Sequence, residues 1–193
     1  MDSYQEVWDL ALPYLHKGVR KDFVIHTQGV VRAMELLLEK EEGDTAVLLP
    51  AAILHDVGWA EVPHDIQHNW RDPTDKRKGE KLHLIYASEI ISDILKKLGY
   101  RDHQIDRIIE VVRAHKFQDP SELEKQLLID ADGVSDAFKD QFYRDIEIYE
   151  NTPEQFYEFR MRDCKFYTVT AKEIFEREMA ERKKEFTSSE VSS

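Results

Sequence analysis

The most constraining feature of the sequence is an apolar segment, residues 46–58, that contains an adjacent histidine and aspartate near its end. Helical periodicity puts Ala51, Ala52 and His55 on one face, so we expect the imidazole to point toward the core. Burying an imidazole and a carboxylate is unfavourable unless other groups satisfy them. The segment therefore predicts a metal site, if the fold brings further ligands to His55 and Asp56.

Four other residues with suitable chemistry lie on or beside the apolar faces of other predicted helices: His26, His83, His115 and Asp132. A single histidine on an apolar face is more often a satisfied core residue, but the joint pattern favours ligands. Asp130 is the alternative to Asp132, which follows its apolar face more closely. Imidazole and carboxylate ligands suit Mn, Fe, Zn, Ni or Co better than a calcium cage. We expect one or two such ions per chain.

Apolar residues recur at helical spacing along most of the chain, and the seven glycines and six prolines are few. We therefore expect an all-α fold, with one helical domain over residues 1–186. Its metal-site core would span about 22–137 and its C-terminal helices about 138–186. Residues 58–81 lack the periodicity and predict a long loop after the His-Asp pair, with one short turn near residues 65–69. This loop would form a substrate lid or a pocket wall. Residues 187–193 are expected to be a disordered tail.

The C-terminal part is rich in aromatic residues, which form a stripe from Phe138 to Phe175. A last helix is predicted over about 153–185, with Pro153 at its first position. The stripe fits either an internal core or the surface of a homodimer, and the sequence leaves both open.

Charge and cysteine content narrow the choice of partners and compartment. The net charge of −12 argues against binding a nucleic-acid polymer, because such proteins need a basic surface. Cys164 is the only cysteine, so neither a disulfide framework nor a thiolate metal site is expected. The sequence holds no apolar run long enough to span a membrane and no signal peptide. We expect a cytoplasmic protein without a membrane partner.

The pattern of His26, then Leu54-His55-Asp56-Val57-Gly58, then Ala131-Asp132 resembles the H…HD…D signature of the HD-domain superfamily of metal-dependent phosphohydrolases. The resemblance covers roughly residues 22–137, and the part after about residue 138 is similar to small stand-alone bacterial HD proteins. It implies an HD-type helical bundle.

The resemblance also implies a ligand set. His26, His55, Asp56 and Asp132 would hold a first metal ion. Some branches of the superfamily add two histidines that bind a second ion, with the aspartate of the HD pair bridging. His83 and His115 occupy those places. The alternative for these two residues is phosphate contact, or support of a single ion from outside its ligand shell.

The chain departs from several branches of the superfamily. Many phosphodiesterase and phosphatase members carry lysine three residues after the aspartate of the pair, where this chain has Trp59. The Gly-Tyr-Pro motif of the cyclic-dinucleotide branch is absent. The segment Ala131-Asp-Gly-Val-Ser-Asp136 replaces the Ala-Asp-Arg-Leu-His-Asn of alarmone hydrolases. The resemblance therefore implies no particular substrate.

By this resemblance we expect a phosphohydrolase that uses metal-activated water on a small phosphoester, with a nucleotide among the candidates. Asp56 is the expected catalytic residue. Local cations would hold the phosphorylated substrate, and the candidates in the predicted loop or beside ligands are Arg71, Arg77, Lys81 and Lys116. Two alternatives remain: a di-iron oxygenase of the HD type, and a metal-stabilised binding protein without turnover.

Overall fold

The chain is described by a computed structural model that covers residues 4–19, 23–69 and 71–190, with side chains described as far as residue 188. These residues form ten α-helices and a short 3-10 helix, and no strand occurs among them, which confirms the all-α prediction. The helices are α1 (Gln5–Leu15), α2 (Phe23–Leu38), α3 (Thr45–Leu54), α4 (His64–His68), α5 (Pro73–Lys97), α6 (Asp102–Ala114), α7 (Leu123–Ser135), α8 (Lys139–Tyr149), α9 (Pro153–Asp163) and α10 (Val169–Glu190). The 3-10 helix spans Val57–Glu61 and lies between α3 and α4.

Helix α3 is the central element, because seven of its ten residues are buried. Asp44 begins it by accepting a hydrogen bond from the Ala46 amide at 2.9 Å, which satisfies a free N–H of the first turn. Helices α2, α6 and α7 pack against α3, and α5 packs against both α6 and the 3-10 helix. The end of α3, where His55 and Asp56 lie, is therefore surrounded by the helices that carry the other predicted ligands.

The predicted loop over residues 58–81 is wrong for most of its length. The 3-10 helix and α4 occupy its first part, and α5 begins at Pro73. Asp72 caps α5 by accepting hydrogen bonds from the amides of Thr74 at 2.8 Å and Asp75 at 3.0 Å, and proline is favoured at the first helical position. The first turns of α5 are charged and mostly exposed, so they lack the apolar periodicity on which the prediction depended.

The helix predicted over about 153–185 is two helices, since α9 ends at Asp163 and α10 begins at Val169. Helix α10 continues to Glu190, so residues 187–190 of the expected tail are helical. Residue 22, where the metal-site core was expected to begin, and residues 191–193 lie outside the described residues.

Much of the aromatic stripe of the C-terminal part packs into the interior, although Phe159 is 43% exposed, and the alternative of a homodimer surface stays a prediction. Its buried members are Phe138, Phe142, Phe156 and Phe175, each with 4% or less of its surface exposed. Phe142 and Phe156 pack edge to face with ring centroids 5.2 Å apart, and this contact joins α8 to α9. None of the helices in the described ranges combines the length and the apolar character needed to cross a bilayer.

Candidate metal centre

The six residues predicted as metal ligands come together at the buried end of α3. His26 lies on α2, His55 and Asp56 follow α3, His83 lies on α5, His115 follows α6 and Asp132 lies on α7. The Nε2 atoms of His26 and His55 are 3.3 Å apart, and the Nε2 atoms of His83 and His115 are 3.4 Å apart. Asp132 Oδ1 is 3.1 Å from His26 Nε2. Five separate elements thus contribute nitrogen and oxygen atoms to one cluster of candidate ligands.

Asp56 lies between two groups of these side chains. Its Oδ2 atom is 3.4 Å from His55 Nε2 and 3.7 Å from His26 Nε2. Its Oδ1 atom is 3.6 Å from His83 Nε2 and 3.8 Å from His115 Nε2. The two groups, His26–His55–Asp56 and Asp56–His83–His115, each offer ligand atoms within 4.8 Å of one another. One carboxylate therefore faces two potential ion positions.

Three of the four histidines have their ring orientation fixed by a hydrogen bond at Nδ1. His55 Nδ1 lies 2.8 Å from the Ala52 carbonyl oxygen, and His115 Nδ1 lies 2.5 Å from that of Val112. His26 Nδ1 lies 3.3 Å from Ser135 Oγ, whose hydroxyl donates to the Asp132 carbonyl. A proton on Nδ1 satisfies each contact and leaves a lone pair on Nε2. This arrangement fits metal-binding histidines, whose second nitrogen is usually held by an outer partner.

The carboxylates of the site are held in the ionised form. Burial by itself would raise the pKa of Asp56, but His55 and the other nearby imidazoles hold that pKa well below its usual value. Burial would likewise raise the pKa of Asp132, and Lys116 together with His26 holds it well below the usual range. Both groups are therefore ready to act as negatively charged ligands at neutral pH.

The imidazoles differ in their ease of protonation. Burial lowers the pKa of His83 to about 4, and burial together with Lys116 lowers the pKa of His115 well below its usual value. Burial also disfavours protonation of His55, but Asp56 outweighs it and raises the pKa of His55. His83 and His115 are therefore neutral near pH 7, the form in which a histidine binds a metal.

Asp130 and Asp132 point in opposite directions and have different roles. Asp132 faces His26, whereas Asp130 is fully buried on the other side of α7. The Asp130 carboxylate accepts hydrogen bonds from the amides of Tyr167 and Thr168, both at 2.8 Å, and from the Thr168 hydroxyl at 2.7 Å. Asp130 thus anchors the segment between α9 and α10, and Asp132 belongs to the candidate site.

This difference predicts that two neighbouring substitutions affect metal content differently. Asp130→Asn is expected to lower the free energy of unfolding by about 1–3 kcal/mol, because buried hydrogen bonds are lost, and to leave metal content unchanged. Asp132→Asn is expected to lower metal content, and also to lower the free energy of unfolding by about 1–3 kcal/mol, because Lys116 loses its carboxylate partner. Urea unfolding of the metal-free protein and elemental analysis of the metal-loaded protein would measure the two effects. Loss of metal from Asp130→Asn alone would contradict this assignment.

A cavity of about 460 Å³ opens beside the candidate ligands and is lined by His26, Asp56, His115 and Asp132 among others. Four cationic side chains line it: Lys76, Lys116, Arg160 and Lys165. The nitrogen of Lys116 lies 2.5 Å from Asp132 Oδ2, so this cation already has a carboxylate partner beside the site. Arg160 forms an ion pair with Asp136, which also lines the cavity.

The other predicted substrate cations do not line this cavity. The guanidinium of Arg71 is 3.3 Å from Glu150 Oε2, and both side chains are mostly exposed. Arg77 is exposed and lies 5.6 Å from the centre of the Phe117 ring, and Lys81 is exposed on α5. All three lie in the predicted loop. Arg77 and Lys81 are instead on α5, which directs them away from the cavity, and Arg71 lies just before that helix. Lys76, Arg160 and Lys165 line the cavity but were not predicted to do so. Arg160 and Lys165 lie in the C-terminal part, where no sequence motif identifies them.

Trp59 takes up the space beside the second group of ligands. Its ring stacks on that of His83 with centroids 4.7 Å apart and an interplanar angle of 6°. Its Nε1–H donates to Asp56 Oδ1 at 3.2 Å. The residue that departs from the family pattern thus contacts two candidate ligands.

Comparison with known proteins agrees with this geometry. A family model described as an HD domain matches residues 23–162, which is more than half of the chain. The fold is similar to the crystal structure of a predicted HD superfamily hydrolase from an uncultured Thermotogales bacterium. That similarity has a TM-score of 0.62 and 19% sequence identity, and it covers 97% of this chain and 91% of the other. No protein with a curated description matches the chain significantly.

Proposed function

We propose, from the premise that this chain belongs to the HD-domain family, that it is a metal-dependent phosphohydrolase acting on a small phosphoester. The observation that carries the proposal is the position of Asp56 between two histidine pairs, at the edge of a cavity whose lining includes four cationic side chains beside seven carboxylates. Two ions that share a carboxylate are a recurrent arrangement in enzymes that hydrolyse phosphoesters.

The ligand assignment is the one that the resemblance implies, and the distances between the donor atoms support it. His26, His55, Asp56 and Asp132 would hold the first ion, and Asp56, His83 and His115 the second. Mixed imidazole and carboxylate ligands fit Mn, Fe, Zn, Ni or Co. Ions bound there would lower the pKa of a bound water molecule and would supply positive charge to the phosphate oxygens.

The side chains of the chain itself would hold and orient the substrate. Lys76 and Lys116 line the cavity and provide positive charge in a protein whose net charge is −12. Lys116 also pairs with Asp132, and burial of the site strengthens its interaction with that carboxylate and with a substrate phosphate. Arg160 and Lys165 lie on the wall formed by the C-terminal part and are suited to the non-reacting portion of the substrate. A small phosphorylated molecule fits a cavity of about 460 Å³, and a nucleotide stays among the candidates.

The proposal is tested by the metal content and activity of protein purified without chelator. We expect about two ions per chain by elemental analysis, and hydrolysis of p-nitrophenyl phosphate that stops when a chelator is added. The variant His83→Ala is expected to retain about one ion, because the ligands of the first ion are unchanged. The exposed residue His103 provides the matched control, and His103→Ala should behave as wild type.

Other outcomes separate the competing functions. Absence of metal from the wild type would overturn the proposal. One non-iron ion in both wild type and His83→Ala would leave a mononuclear phosphohydrolase. Iron as the bound metal, with oxygen consumption and no phosphate release, would instead support a di-iron oxygenase. Bound metal without either activity would support a metal-stabilised binding protein.

A further inference from the structure

We infer that Trp59 is a positioning residue for the second metal ion and that His83 depends on it for its ring orientation. This inference rests on the two-ion site proposed above.

His83 differs from the other three candidate histidines at its second ring nitrogen. His26, His55 and His115 each have a hydrogen-bond partner at Nδ1. The Nδ1 atom of His83 is fully buried and has no such partner among the described residues. The Glu80 carbonyl acts on His83 as a backbone hydrogen-bond acceptor that raises its pKa, but the geometry at Nδ1 falls outside that of a regular hydrogen bond. The hydrogen-bond support of this ring is therefore weaker than that of the other three histidines, although a metal ligand needs a defined orientation.

The contact that fixes the His83 ring is the indole of Trp59. The two rings are nearly parallel, at 6°, with centroids 4.7 Å apart, so the indole covers one face of the imidazole. Stacking of this kind prevents the ring from tilting or rotating out of plane, because either movement would collide with the indole. Trp59 thus supplies for His83 the constraint that hydrogen bonds supply for the other histidines.

The indole itself is held on its other sides. Phe23, at the start of α2, stacks on it with centroids 5.9 Å apart and an angle of 22°. Gly79 of α5 leaves room for it, since a Cβ atom there would be 3.0 Å from the Trp59 ring. The Nε1–H donates to Asp56 Oδ1, which is the oxygen that faces His83 and His115. One side chain therefore constrains two ligands of the same group.

The first group of ligands does not depend on this indole. His55 is held by Ala52, and His26 is held by Ser135. Asp56 faces them through Oδ2, which is not the atom bonded to Trp59. Removing the indole should therefore affect the second ion selectively.

The test is a calorimetric titration of metal-free protein with Mn²⁺, with the electron paramagnetic resonance spectrum recorded at saturation. We expect Trp59→Leu to raise the dissociation constant of the second ion by about 10- to 100-fold, as for loss of other outer partners, and to leave that of the first within about threefold. The spectrum of a coupled Mn²⁺ pair should be lost in this variant. Trp8→Leu is the matched control, since Trp8 lies on α1 and does not line the cavity.

The conservative variant separates orientation from a general structural role. Trp59→Phe keeps an aromatic ring against His83 and is expected to keep the second ion, with its affinity within about tenfold of wild type. Equal loss of the second ion from Trp59→Phe and Trp59→Leu would overturn the inference, and so would unchanged binding in Trp59→Leu. Loss of both ions together would also overturn it. A wild type that binds a single ion would refute the two-ion site itself, which is a separate result.

Discussion

Replacing Asp56 with asparagine is expected to remove both metal ions and to lower kcat/KM for phosphoester hydrolysis by more than about 100-fold. Loss of a partner outside the ligand shell typically lowers affinity or activity by about 10- to 100-fold, and Asp56 is itself a candidate ligand that faces both potential ion positions. An amide also lacks the negative charge that offsets two adjacent cations. Elemental analysis and steady-state kinetics of the purified variant measure the two effects.

The effect of Asp56→Asn should come from the site and not from unfolding. Asp106→Asn, on the exposed face of α6, is the matched control and should retain wild-type metal content and activity. Circular dichroism should show the same helical content in both variants. Full metal occupancy in Asp56→Asn would show that the carboxylate does not bridge two ions, and the ligand assignment would then need revision.

Replacing Gly58 with alanine is expected to lower the free energy of unfolding by about 1–3 kcal/mol, within the usual range for overpacking, and to weaken the second metal position. A Cβ atom at Gly58 would lie 1.9 Å from the His83 carbonyl oxygen and 2.6 Å from the Ala87 amide nitrogen. Both atoms belong to the backbone of α5, so a side-chain rotation cannot relieve the contact. The 3-10 helix and α5 must separate, and His83 moves with α5.

Gly99→Ala is the comparison for this prediction. Nothing lies within 4 Å of an added Cβ at Gly99, but its φ of +78° is unfavourable for alanine. The expected loss of stability is about 1–2 kcal/mol without any change in metal binding. Chemical denaturation and metal titration of both variants distinguish a packing effect from a backbone effect. If Gly58→Ala unfolds at the wild-type denaturant concentration, the close approach of the 3-10 helix to α5 is not as described.

Helical periodicity correctly predicted the all-α fold, because each long helix buries one apolar face whatever it packs against. It failed at the start of α5, where residues from Pro73 onward are charged and exposed. The helix begins there because Asp72 caps it and Pro73 fits its first turn, both of which are local signals independent of periodicity. It also failed between α9 and α10, where the buried carboxylate of Asp130 holds the connecting segment.

The resemblance to the HD domain, based on His26, His55, Asp56 and Asp132, is confirmed by the family match over residues 23–162. The ligand assignment is still a prediction, although five candidates form two groups that could hold a metal and Asp132 lies 3.1 Å from His26. Of the four cationic side chains predicted to bind substrate, Lys116 is the one that lines the cavity.

The sequence by itself determined which residues can bind a metal and which helix faces they occupy, since both follow from side-chain chemistry and local spacing. Only the tertiary structure decided which atoms meet. Ser135 supports His26, Trp59 covers His83, and the two oxygens of Asp56 face different histidine pairs. These contacts join residues from separate helices, and their distances depend on how the helices pack. Periodicity reports whether a face is buried, but it carries no information about the partner that buries it.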